Sequence, residues 1–128
     1  MNYYFNKTIA SDFESVKKRV IEELGKEGFG ILSEIDVKAT FEKKLEIDFR
    51  KYQILGACNP HFAHKAITAE DKIGTMLPCN VVLQELENGD IEVAAINATA
   101  SMQAVENSKV AEIAKEISGR LKKVVDAL

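Results

Sequence analysis

Cysteine and histidine are nearly missing from this sequence, at two residues each in 128. Two thiols cannot form the multi-bridge framework of a small secreted scaffold, and the paired C-x-x-C elements that mark structural zinc or a dithiol loop are absent. No apolar run approaches the roughly 18 residues of a membrane span. The opening "MNYYFNKTIA" carries neither the basic flank nor the apolar stretch of a secretory signal. The chain is therefore expected in the cytosol, where thiols stay reduced, and away from membranes. No proline-, glycine- or serine-rich tract, repeat or low-complexity segment divides it, so residues 1–128 are expected to form one domain. A basic excess is missing as well, the net charge being −3. The one lysine-rich run, Lys43 and Lys44 with Lys38 and Lys51 nearby, is interrupted by Glu42 and Glu46. That pattern is a solvated face and argues against a nucleic-acid binder, which needs clustered cations along a phosphate track.

What is present suits a packed core: 46% of residues are hydrophobic and they are spread along the chain. Residues 2–9 alternate as a strand, with Tyr3, Phe5 and Ile9 on one face and Tyr4, Asn6 and Thr8 on the other. Ser11 with Glu14 resembles a capping box, and Phe13, Val16, Val20, Ile21 and Leu24 follow at helical spacing until Gly25 and Gly28 end the helix. Residues 28–37 return to period two, with Ile31, Ser33, Ile35 and Val37 on one face and Leu32, Glu34 and Asp36 on the other. A short helix is expected over 38–47 and a strand over 51–58. Asn59-Pro60 breaks that strand, and proline is well placed to open a further short helix. Residues 79–86 and 91–97 form a hairpin across the Asn-Gly of "ENGD". From Ser101 or Ser108 onward, Val110, Ile113, Ala114, Ile117, Leu121, Val124 and Leu128 draw one apolar stripe. Gly119 inside it marks either a close backbone contact or a tolerated surface position. The expected fold is α+β, a two-layer sandwich in the order β-α-β-(α)-β-(α)-β-β-α. Its sheet is mostly antiparallel, with two long helices on one face.

Every cysteine and histidine falls within residues 58–79, in "ACNPHFAH" and "LPCN". One reading is a transition-metal site, zinc or copper, held by Cys58, His61, His64 and Cys79, since thiolate and imidazole are suitable ligands. A second makes Cys58 a nucleophilic or redox thiol at the start of the Pro60 helix, with His61 or His64 as base. In a third, both thiols are small core hydrophobes at strand ends and the histidines are helix-surface residues. Asn59 and Asn80 each follow a cysteine, and their side chains are suited to fixing turns by bonding backbone two residues on. If the two corners meet at one end of the sheet, Cys58, Asn59, Pro60, Cys79 and Asn80 would line a small-ligand pocket. Glu34 and Asp36 share a strand face, an arrangement for acid–base work or a hard cation, or for ion pairing near Lys38.

The segments "GFGILSEIDVKATF", "YQILGACNPHFAHKAI" and "IGTMLPCNVVL" together resemble the "domain of unknown function 302" family of bacterial and archaeal proteins. The resemblance runs over nearly the whole chain, and Cys58, Asn59 and Pro60 fit its pattern closely. It implies a small α+β domain found alone or fused to others, forming a homodimer, with no established reaction. The leading expectation is thus a domain binding a small molecule or metal near Cys58 and Cys79. The alternatives are a thiol-dependent enzyme using Cys58, and a protein-interaction module whose cysteines are structural.

Overall fold

A computed structural model describes residues Met1–Leu128. The elements are β1 (Tyr4–Ile9), α1 (Phe13–Lys26), β2 (Gly30–Asp36), α2 (Val37–Leu45), β3 (Tyr52–Cys58), α3 (Pro60–Ala69), a 3₁₀ segment (Asp71–Met76), β4 (Cys79–Glu85), β5 (Ile91–Ile96), α4 (Ala98–Ser101) and α5 (Ser108–Asp126). The five strands make one sheet in the order β1-β5-β4-β3-β2, and every pairing is antiparallel. The α+β layout and the order of its main elements agree with the sequence reading. The 3₁₀ segment and the short α4 were not anticipated.

One face of the sheet is buried under the long helices. Val16, Val20 and Leu24 of α1 and Val110, Ala114, Ile117, Leu121 and Val124 of α5 pack against Leu55, Val81, Leu83 and Val93, all essentially inaccessible. Their spacing gives each helix one continuous apolar stripe, so burial of that stripe supplies most of the helices' stability. The Lys7 ammonium joins the two layers by donating to the backbone carbonyls of Asp126, at 3.3 Å, and of Leu128. The long helices leave the opposite face uncovered, and α2 packs beside β3, with Phe41 against Phe49 at 5.1 Å and Phe49 near Tyr52 at 6.4 Å.

Four local expectations need correction. The N-cap of α1 is Asp12 and not Ser11: its carboxylate accepts from Ser15 N at 2.9 Å and Ser15 Oγ at 2.7 Å, contacts that hold the Asp12 pKa below the usual carboxylate value. At the other end Gly25 remains helical, and Gly28 alone takes the left-handed conformation, at φ 86°. In β2 the simple alternation fails because a bulge falls between Ile31 and Ser33. Ile31 therefore shares a face with Glu34 and Asp36, and Leu32 is displaced toward the end of the sheet where β3 meets α3. Tyr3 also stands outside β1, 67% exposed and stacked edge-on against Tyr4 at 4.8 Å.

Candidate functional site

The two cysteine corners do converge. β3 and β4 are antiparallel neighbours, and their register sets Cys79 opposite Ala57, one residue from Cys58. Both cysteines are free thiols, Cys79 buried and Cys58 half-buried. Beyond the strand ends, the chain leaves through Asn59 into α3, packed on α5, and arrives through Leu77 and Pro78. The space enclosed is a cavity of about 320 Å³ lined by sixteen residues, among them Cys58, Asn59 and Cys79. Phe29, Phe62, Leu77, Met102, Ile113 and Ile117 supply much of its apolar wall. Leu32 and Ile67, 69% and 46% exposed, stand at its rim. The bulge in β2 is what brings Leu32 there, a common use of such irregularities beside a cleft.

Close packing keeps this corner in place. A β-carbon on Gly56 would lie 2.8 Å from Pro78 Cγ and collide with Ser33 Oγ, so only glycine lets β2, β3 and the Pro78 turn approach one another here. Asn59 is 7% exposed, and its amide does not fix a turn as expected. Instead Asn59 Nδ2 donates to the Glu27 carbonyl at 3.3 Å, tying the start of α3 to the end of α1. Arg120 of α5 donates to the same carbonyl at 3.2 Å and stacks over the Phe62 ring at 5.1 Å. Burial pushes the Cys79 thiol up to about 11, with neighbouring Cys58 adding to the shift. Cys79 is thus a protonated, weakly polar wall at neutral pH.

The remaining candidates lie elsewhere. Pro60 occupies the first turn of α3 and is exposed, in the role its sequence position suggested. Asn80 is exposed on the open face of the sheet, because strand alternation turns it away from its buried neighbour Cys79. Glu34 pairs with Lys17 of α1 at 2.6 Å, and Asp36 caps α2 by accepting from Ala39 N at 2.9 Å. Lys38 pairs instead with Asp48 at 2.7 Å. His61 and His64 are exposed on α3, whose buried residue is Ala66. His64 lines a separate open groove of about 530 Å³ between α3 and α5, where Lys65 and Lys109 face Glu112 and Glu116. Nowhere do three or more His, Cys, Asp or Glu side chains gather in a way that could hold a metal ion. The cavity's apolar wall escaped sequence reading because its residues come from six separate segments, each of which reads locally as ordinary core. No helix is long and apolar enough to cross a membrane.

With this geometry in hand, comparison with known proteins gives one consistent result. A family model described as "Domain of unknown function DUF302" matches residues 5–128. A solved structure, described as that of an uncharacterized conserved protein DUF302 from Bacillus stearothermophilus, is similar at 27% identity and a TM-score of 0.90, over 98% of each chain. No curated protein matches the chain.

Proposed function

The chain belongs to the DUF302 family, a family of unknown function, and from its own geometry we propose that it binds a small, mainly apolar molecule in the cavity at the Cys58 and Cys79 corners. The observation that supports this is the cavity itself. It is about 320 Å³ in volume, thirteen of its sixteen lining residues are hydrophobic, and its rim is formed by the exposed side chains of Leu32 and Ile67. Small-molecule sites have this character, an apolar concavity with very few polar groups. The larger groove beside His64 is open and carries opposed charges, as expected of a solvated valley between two helices. Thermal denaturation with toluene as probe tests the reading. Toluene raises the Tm of the native protein and leaves an Ala63→Phe variant, whose ring fills the cavity from α3, unchanged. Absence of a shift in the native protein, or an equal shift in both, contradicts it.

The two sulfurs favour one form of the metal reading over the others. Two thiols at one cavity suit a soft ion such as copper(I) better than four-coordinate zinc. Titration of the reduced protein with copper(I) then gives one bound ion and loss of both free thiols, whereas failure to bind removes this reading and leaves the apolar one intact.

The sheet face away from the long helices supports self-association. A row of cross-strand neighbours, Ile35, Ile54, Val82 and Ala94, runs across it, with Tyr4, Tyr52 and Ile96 beside the row. Five strands of about six residues present roughly 500 Å² per copy at standard strand spacing and rise. Two such faces bury about 1,000 Å², the lower bound for a specific interface. We propose that a second copy of the chain covers this face.

A further inference from the structure

We infer that the ligand of the cavity is an apolar molecule bearing one hydrogen-bond donor, and that Asn59 Oδ1 is the acceptor that reads it. This rests on the cavity reading above and specifies its chemistry. Of the sixteen lining residues, Asn59 is the only one whose side chain carries nitrogen or oxygen. The other polar groups in the lining side chains are the thiols of Cys58 and Cys79, which are weak donors and acceptors. The orientation of the Asn59 amide follows from its partner. The Glu27 carbonyl can only accept, so the NH₂ end must face it, and Oδ1 points the other way. Arg120, bonded to that carbonyl from the α5 side, holds the acceptor in place.

Oδ1 itself is unpaired by the protein. Although Asn59 stands at the N-cap of α3, its side chain caps no backbone N–H there. Yet Oδ1 is not sealed in: the only fully buried side-chain polar atom without a partner is Gln53 Oε1, near the start of β3. A residue 7% exposed that lines a cavity, with an unpaired yet accessible oxygen, presents that oxygen to whatever occupies the cavity. An occupant without a donor would cover the acceptor and leave it unsatisfied, whereas an alcohol, phenol or N–H compound would satisfy it. Sites built around one such group discriminate against analogues lacking the matching partner.

Para-cresol and anisole are isomers with the same atoms and nearly the same volume, and only cresol donates a hydrogen bond. Their dissociation constants, measured by calorimetry or by NMR titration, test the inference directly. Cresol is expected to bind the native protein about fivefold tighter or more, the ratio expected for one neutral hydrogen bond. In Asn59→Leu, which keeps the branched shape of the side chain without its polar atoms and leaves the Glu27 carbonyl bonded to Arg120, the ratio falls to about one. If that variant does not fold, the native ratio decides alone. Equal or tighter binding of anisole by the native protein overturns the donor assignment while the cavity reading stands. Binding of neither isomer overturns both.

Discussion

Single residues decide the character of the cysteine corners. That both corners are strand ends was legible from Asn59-Pro60 and Pro78, because proline limits where a strand can run. That they enclose one cavity was not, because it depends on the β3–β4 register, which couples residues about twenty apart. The same register explains why Asn80 and Asn59 part company despite following cysteines. One continues a strand and alternates outward, while the other leaves its strand and is buried against Glu27. The Cys79 thiol lies above its ordinary 9.0, at about 11, so the folded chain holds this proton more firmly than the unfolded chain. Its stabilising contribution is full below pH 9 and is lost as pH rises toward 11. Urea denaturation should therefore show the stability advantage of the native protein over Cys79→Ala shrinking by roughly 2 kcal/mol across that interval. A constant difference would contradict the burial of Cys79. Gly56→Ala should cost about 1–3 kcal/mol in the same assay, since the Pro78 ring has no rotamer with which to give way. An unchanged midpoint would show that the corner is looser than described.

At the scale of elements, α1 and α5 were readable because a period of 3.6 over many residues leaves little ambiguity. β2 was misread by the width of one residue. Its bulge is invisible in an alternating pattern, yet it decides that Leu32 reaches the rim of the cavity while Glu34 faces Lys17. Deleting Leu32 should restore regular pairing and remove one wall of the rim, weakening toluene binding several-fold with little loss of helix content by circular dichroism. Retained affinity would show that the rim contributes nothing. Gly119 is the opposite case, a residue whose meaning the sequence left open. A β-carbon there meets no atom within 4 Å, so it marks no close contact. Gly119→Ala should accordingly stabilise the protein by about 1 kcal/mol through helix propensity, raising its Tm, and a destabilised variant would reveal a neighbour that the structure does not contain.

For the whole molecule, the α+β class followed from two amphipathic helices that needed a common surface, but the sheet's second face had no comparable signal. Ile35 lies between Glu34 and Asp36 whereas Val82 lies between Val81 and Leu83, so no common local pattern links them with Ile54, and the three form a row only after β2, β3 and β4 have paired. If a second copy covers this face, Val82→Lys should convert a dimer to a monomer in analytical ultracentrifugation while leaving the fold intact, and a native protein already monomeric at high concentration would refute the interface. The cavity is the more consequential feature, because it is built jointly by the sheet end, α3 and α5 and would be lost if any of them were displaced. Methyl-resolved NMR during a titration with para-cresol addresses it most directly. The account predicts saturable shifts confined to Leu32, Ile67, Leu77, Met102, Ile113 and Ile117, all of which line the cavity. Absence of saturation, or shifts centred instead on Ile35, Ile54 and Val82 of the open sheet, would contradict it.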